Sequence, residues 1–169
     1  MSDVRLTGGC QCGAVRYALT AEPAAPCLCF CRMCQKQTGG FFGAWAGVHH
    51  DAVVMTRGTI AWFDSSDDAA RGFCRDCGTP LAYRFKGIPR IAVTIGSLDD
   101  PAQMKPALLY GVEGMVPWFD ELFHLPREVL GGGEFADFDS PQRLGKIQNS
   151  NHQHPDHDTT AWPTQPSSE

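Results

Sequence analysis

The chain has no long hydrophobic run. No stretch approaches the roughly eighteen consecutive apolar residues that a membrane-spanning helix needs. The first residues, MSDVRLTGG, also lack the apolar central segment of a secretory signal peptide. These two absences predict a cytoplasmic protein without a membrane partner.

Basic residues are also scarce. The 14 Lys and Arg are outnumbered by 19 Asp and Glu, which gives a formal net charge of −5, and they form no basic stripe. Because contacts to phosphates need clustered cations, this distribution argues against nucleic acid as a partner. The sequence contains no Walker loop, no G-x-G-x-x-G segment and no Ser-His-Asp order, so nucleotide and nicotinamide cofactors are not expected.

The chain does contain short segments of alternating apolar residues, separated by turns rich in Gly and Pro. Strands are predicted at residues 4–6, 15–19, 42–48, 52–55, 59–63, 81–85 and 91–95. This regular spacing predicts an all-β domain over residues 1–135. Aliphatic residues almost vanish after Gly131, so residues 136–169 are predicted to form a disordered tail.

The cysteines are the residues that indicate a chemical function. Eight cysteines fall into three groups, Cys10-x-Cys12, Cys27-x-Cys29-x-Cys31-x-x-Cys34 and Cys74-x-x-Cys77. In a reducing compartment such spacing indicates metal ligands rather than disulfides. A redox motif of the thioredoxin type is the alternative, but it requires a βαβ pattern that this sequence lacks. The expected cofactor is therefore zinc.

The groups divide into two zinc sites of different character. Four thiolates with no vacancy predict a closed structural site, formed by Cys10, Cys12, Cys74 and Cys77. Three thiolates leave one position of a tetrahedral zinc ion open to substrate and predict a catalytic site, formed by Cys29, Cys31 and Cys34. Such a zinc ion is suited to holding a substrate thiol as thiolate. Two zinc ions are expected, the second bound less firmly.

Cys27 leaves an alternative open. It lies two residues before Cys29 and shares its face if the segment is extended. As a fourth ligand it would close the second site and make that site structural. The other interpretation is a small buried apolar residue, because an extended run rarely lets three alternating thiolates meet on one ion.

Several polar residues lie near these motifs. Arg32, Lys36 and Arg75 flank the cysteines, where they would neutralise thiolate charge, hold a substrate carboxylate, or serve as exposed solubilising charges. His49 and His50 follow a predicted strand and are expected on opposite faces, so that at most one would serve a site. No general base can be identified.

Four segments carry a resemblance to a known family: GGCQCGAVRY, CFCRMCQKQTGG, CRDCGTPLAY and IAVTIGSLDDP. In this order they resemble the pattern of the glutathione-dependent formaldehyde-activating enzymes, a group related to centromere protein V, over residues 5 to about 127. The resemblance implies a β-tent fold of packed antiparallel sheets. It also implies that the four-cysteine set holds a structural zinc and the three-cysteine set an active-site zinc.

The activity implied by the resemblance joins glutathione, a small thiol partner, to formaldehyde and gives S-hydroxymethylglutathione, a carbon–sulfur lyase reaction. The hypothesis from another class is a non-catalytic zinc-scaffolded interaction module, which the centromere protein V branch suggests. Fold resemblance alone does not decide the substrate.

Overall fold

The computed structural model describes residues 4–133 and 139–162. Its ten strands form a three-stranded sheet in the order β1-β2-β5 and a seven-stranded sheet in the order β10-β3-β4-β9-β8-β7-β6. The strands are β1 (Leu6–Gly9), β2 (Arg16–Leu19), β3 (Ala24–Cys29), β4 (Gly43–His49), β5 (Val53–Arg57), β6 (Ala61–Asp64), β7 (Ala69–Phe73), β8 (Pro80–Phe85), β9 (Arg90–Thr94) and β10 (Leu108–Tyr110). Two sheets with few helices confirm the predicted all-β class.

Helix α1 (Arg32–Thr38) follows β3, and helix α2 (Pro141–Asn149) lies near the C-terminus. Short turns of 3₁₀ helix connect several of the strands. Within the described residues, none of the helices has the length and apolar character needed to cross a bilayer.

The larger sheet departs from the implied antiparallel arrangement at one edge. β10 pairs with β3 in parallel, with Leu109 opposite Leu28, while the other strand pairs are antiparallel. β3 itself was not predicted, because Pro26 reads as a break in a strand. The structure places Pro26 where the register between β3 and β4 shifts, which is a position that tolerates the missing N–H of proline.

The hydrophobic core is formed by residues from both sheets. Tyr17 and Leu19 from β2 and Leu81 from β8 are completely buried, and Val93 from β9 is nearly so. The Tyr17 hydroxyl and the Ser97 hydroxyl lie 2.7 Å apart, so the polar atom of the buried Tyr17 side chain has a hydrogen-bond partner. Burial of such side chains is the main contribution to the stability of the sheets.

The chain divides into two compact units. One comprises residues 1–115 and 153–169, and the other comprises residues 116–152. In the second unit the rings of Phe119 and Phe123 meet edge to face with centroids 6.0 Å apart. α2 in that unit starts with Pro141 at its first turn, and the Ser140 hydroxyl accepts a hydrogen bond from the Arg143 amide at 3.4 Å.

Part of the segment predicted to be disordered is described. It includes α2 and residues 153–162, which make polar contacts in the first unit. Residues 136–138 and 163–169 of the predicted tail lie outside the described residues. The division of the chain into a domain ending at residue 135 and a disordered tail stays a prediction.

Candidate metal centres

The first cysteine cluster joins two hairpin loops. Cys10 and Cys12 lie between β1 and β2, and Cys74 and Cys77 lie between β7 and β8, yet the sulfur atoms of the four lie within 4.8 Å of one another. The Sγ atoms are 3.6 Å apart between Cys10 and Cys12 and 3.8 Å apart between Cys12 and Cys74. A tetrahedron of zinc–sulfur bonds has edges of about 3.8 Å. The four sulfurs therefore fit one tetrahedral zinc ion.

Glycines shape both loops of this cluster. Gly13 has φ of 75° and Gly78 has φ of 76°, values that side chains disfavour. Their amides donate to the carbonyl oxygens of Cys10 at 3.1 Å and Cys74 at 2.9 Å. The loops are thereby turned so that the two sulfurs of each face the same point.

Hydrogen bonds tune the thiols of this cluster. The Val15 amide donates to the Cys10 Sγ at 3.2 Å, and the Thr79 hydroxyl lies 3.1 Å from the Cys77 Sγ. Burial raises the pKa of Cys77, but the hydrogen bonds from Thr79 and the neighbouring groups outweigh it and bring the pKa to about 6. Burial raises the pKa of Cys10 instead. Even without metal, one thiolate is favoured in the cluster.

A C-terminal segment lies against the first of these loops. The Trp162 Nε1 donates to the Cys12 carbonyl oxygen at 2.7 Å, and the His154 amide donates to the Gln11 carbonyl oxygen at 2.7 Å. Asp158 forms an ion pair with Arg16 at 2.6 Å. The loop that carries Cys10 and Cys12 is thus contacted by a part of the chain that composition alone predicted to be disordered.

The second cluster lies where β3 ends and α1 begins. Cys29 is the last residue of β3, Cys31 is the N-cap of α1, and Cys34 is in its first turn. Their sulfur atoms lie within 4.8 Å of one another, and Cys29 and Cys34 are each 6% exposed. The helical turn brings Cys34 back over Cys31, with its amide donating to the Cys31 carbonyl oxygen at 3.0 Å. The sequence predicted a knuckle here but not the helix.

Cys27 is not a member of this group of three sulfurs. It packs beside the cluster, half-buried, and is paired across the sheet with Trp45 of β4. Burial and the nearby Cys34 raise the pKa of its thiol. These surroundings favour the interpretation of Cys27 as a small apolar residue, and the open second site stays a prediction.

A buried arginine contacts the second cluster. The Arg71 side chain is 5% exposed, and its Nη1 lies 3.6 Å from the Cys34 Sγ and 2.6 Å from the Gln37 Oε1. Burial raises the pKa of Cys31, but the Cys34 amide, the neighbouring thiols and the charge of Arg71 outweigh it and lower the pKa. Burial together with neighbouring thiols brings the pKa of Cys29 to about 12. Cys31 is the favoured thiolate.

Three buried donor atoms around this cluster have no hydrogen-bond partner within the described part of the chain: Trp45 Nε1, Arg71 Nε and Gln37 Nε2. Trp45 packs against Cys29 and Cys34. Arg71 lies over the Tyr83 ring, 5.0 Å from its centroid. Buried donors without partners are rare in proteins and are costly, which is typical of sites that receive a ligand.

The predicted site residues other than the cysteines are exposed. Arg32, Lys36 and Arg75 have exposed side chains. His49 and His50 do not lie on opposite faces, since β4 ends at His49 and their ring centroids are 4.9 Å apart. Both histidines form an exposed group with Asp51.

Arg71 and Gln37 were missed as site residues. The only signal available was that Arg71 lies three residues before Cys74 in the sequence. Its contact with Cys34 depends on the pairing of strands far apart in the chain, and sequence spacing does not reveal that.

Two comparisons with known proteins bear on this arrangement. The family model described as glutathione-dependent formaldehyde-activating enzyme matches residues 5–111. A crystal structure of a protein from Rhodobacter sphaeroides is similar, with a TM-score of 0.50 and 22% identity, over 62% of this chain and 99% of that one. At this identity the structural likeness concerns the fold.

Proposed function

Because this chain belongs to the glutathione-dependent formaldehyde-activating enzyme family, we propose that it is a zinc-dependent carbon–sulfur lyase acting on the adduct of a small thiol and an aldehyde, of the glutathione and formaldehyde type. In the proposed reaction a carbon–sulfur bond forms between the thiolate sulfur and the carbonyl carbon, and the carbonyl oxygen takes up the proton that the thiol gives up. The reverse reaction breaks the same bond. The proposed location is the cytoplasm.

The observation that carries this proposal is the inequality of the two cysteine clusters. One cluster offers four sulfur atoms and the other offers three. Within each cluster the sulfur atoms lie close enough together to bind one ion. Thiolates are preferred ligands of zinc, so both donor sets fit zinc ions. In the proposal, Cys10, Cys12, Cys74 and Cys77 hold a structural zinc, and Cys29, Cys31 and Cys34 hold a zinc with one open position.

When bound by three cysteines, zinc supplies the positive charge that keeps a substrate thiol in its reactive thiolate form at neutral pH. The protein's own residues supply the rest of the site. Arg71 donates a hydrogen bond to Cys34, which favours the thiolate form of that ligand. A zinc ion with three thiolates keeps one net negative charge, and the buried Arg71 guanidinium has the opposite charge to balance it.

The Trp45 Nε1, which has no hydrogen-bond partner among the described residues, supports a role for Trp45 as a donor in the proposed reaction. Trp45 is 5% exposed and packs on the three-cysteine cluster. A buried N–H without a partner becomes favourable when an acceptor, such as the oxygen of the aldehyde, comes within reach. In this proposal Trp45 orients the aldehyde but does not transfer a proton.

The test is the rate of S-hydroxymethylglutathione formation from glutathione and formaldehyde, followed by exchange NMR, with zinc content measured on the same samples. The expected result is two zinc ions per chain and a rate above the uncatalysed one. Cys34→Ser should abolish the acceleration, while Lys86→Ala, a change just after β8 that removes an ion pair with Asp64, should not alter it. An uncatalysed rate with two bound zinc ions would contradict the proposal and favour a zinc-scaffolded interaction module.

A further inference from the structure

A cavity of about 530 Å³ opens next to the three-cysteine cluster. One wall is formed by α1 and the other by β6 and β7, with the loop after Cys77 at one end. We refer to it as the α1 cavity. None of the eight cysteines lines it, so it is distinct from the sulfur ligands themselves.

Strand register explains the sheet wall of the α1 cavity. Tyr83, Arg71 and Phe63 face one another across β8, β7 and β6, so their side chains project from the same face of the sheet. Phe73, two residues after Arg71, is on that face as well. Phe63 is 62% exposed although it is a large apolar side chain. The sheet thus presents an apolar surface to the cavity.

The helix wall adds to this surface. Met33 of α1 lines the cavity and is 54% exposed. Exposed apolar side chains on both walls of one concave site are a feature of small-molecule sites, where burial of the ligand's apolar part contributes most of the binding. The ligand of the α1 cavity therefore has an apolar body.

The charge of the lining is one-sided. Arg32, Lys36 and Arg71 line the cavity, and no Asp or Glu of the residues that the structure describes does so. This positive lining stands out in a chain whose formal net charge is −5. Among the described residues Arg71 forms no ion pair with a carboxylate. Electrostatic complementarity calls for an acidic group on the ligand.

Arg71 and Gln37 connect the cavity to the cysteine cluster. Both line the cavity, and each has a buried donor atom that finds no partner in residues 4–133 and 139–162. Arg71 also donates to the Cys34 Sγ at 3.6 Å, so its guanidinium bridges the cavity and the sulfur cluster. A ligand in the cavity consequently lies one side chain away from the three sulfurs.

We propose that the α1 cavity is a specificity site for a small carboxylic acid with an aromatic or branched apolar body. That this acid also carries the reacting thiol rests on the proposed function, whereas its binding in the cavity does not. The apolar body lies between Met33 and Phe63, and the carboxylate lies on the side of Lys36 and Arg32. Among the thiols that the proposed reaction accepts, one that also carries a carboxylate and an apolar body is then preferred over glutathione.

The test uses 3-phenylpropanoate, which has the apolar body and the acid but no thiol. Its affinity for the zinc-loaded full-length protein is compared, by calorimetry, with those of 3-phenylpropanamide and acetate, which lack the charge and the apolar body respectively. We expect 3-phenylpropanamide and acetate each to bind at least about tenfold more weakly than 3-phenylpropanoate. Phe63→Ala and Lys36→Ala should each weaken 3-phenylpropanoate by about tenfold, and the control variants Phe85→Ala and Lys86→Ala should leave it unchanged.

Equal affinities for the three probes, or equal effects of Phe63→Ala and Phe85→Ala, would overturn the proposal. Because 3-phenylpropanoate cannot react, its binding is independent of whether the protein is a lyase. Normal probe binding in a protein that does not accelerate thiol addition would support the cavity assignment and reject the proposed function. Activity with glutathione but no binding of 3-phenylpropanoate would support the proposed function and reject the cavity assignment.

Discussion

The two cysteine clusters use the same ligand atom in different surroundings. The four-cysteine cluster joins two hairpin loops, and a C-terminal segment contacts one of them through Trp162 and His154. The three-cysteine cluster lies at a strand-to-helix junction, beside a cavity and a buried arginine. In the proposed function, the number of sulfurs and the way their charge is balanced, rather than cysteine itself, distinguish a site that holds the fold from a site that reacts.

The largest expected contrast comes from removing one ligand of each cluster. Cys74→Ser breaks the four-cysteine site, and structural zinc sites contribute on the order of 10 kcal/mol, comparable to the whole stability of a domain. We expect this variant to be unfolded by circular dichroism. Cys34→Ser, its matched counterpart, should keep the fold with a loss of at most about 2 kcal/mol and lose one zinc ion. Similar unfolding of both variants would remove the distinction between the clusters.

The next contrast concerns the charge beside the three-cysteine cluster. Arg71→Met keeps much of the side-chain volume but removes the cation and the hydrogen bond to Cys34. Loss of a group that contacts a metal ligand commonly costs 10- to 100-fold in metal affinity, so we expect the second zinc to be chelated about 10- to 100-fold more readily.

The control for Arg71→Met is Arg84→Met. Arg84 lies on the neighbouring strand and is stacked over Trp62, with its guanidinium 4.0 Å from the ring centroid. Arg84→Met should leave the chelation of both zinc ions unchanged. If Arg71→Met released the zinc of the four-cysteine cluster instead, the assignment of Arg71 to the three-cysteine site would be wrong.

A smaller effect is expected from the C-terminal segment that contacts the loop of Cys10 and Cys12. Trp162→Phe keeps an aromatic ring and removes the hydrogen bond from Nε1 to the Cys12 carbonyl oxygen. A single such bond contributes about 1 kcal/mol, so amide exchange in residues 10–14 should become about fivefold faster. Trp118→Phe, a change in the other unit, should not affect these amides. Unchanged exchange in Trp162→Phe would show that the segment does not protect the loop.

The smallest effect is expected at Cys27. Because its sulfur is outside the group of three, Cys27→Ala should keep two zinc ions per chain and cost about 1 kcal/mol through lost packing. The measurement is zinc content by mass spectrometry together with thermal unfolding. Loss of one zinc ion would mean that Cys27 closes the second site, and the open-site account would fail.

The sequence was sufficient for the cysteine groups and for the strands flanked by clear turns. Cys-x-Cys and Cys-x-x-Cys spacings report which sulfurs can reach one ion, because the loops that hold them are short. The strands β4, β8 and β9 lie within one residue of their predicted bounds. These features are local, so the sequence displays them directly.

The features that were missed are non-local or lack a periodic signal. β7 (Ala69–Phe73) follows a polar run and contains Arg71 and Gly72, so it shows no apolar alternation. α1 has 7 residues and no side-chain cap at Cys31. The contacts of Trp162 and Arg71 join residues 150 and 37 positions apart, respectively. Such contacts depend on the folded topology and not on neighbouring residues.

The central claim, one closed and one open metal site, is tested most directly by cadmium NMR of the cadmium-substituted protein during titration with a small thiol. The account predicts two cadmium signals, of which only one shifts as glutathione is added, and that signal should be missing in Cys34→Ser. Two signals that both remain unchanged at saturating thiol would contradict it, because neither site would then offer a position to a substrate.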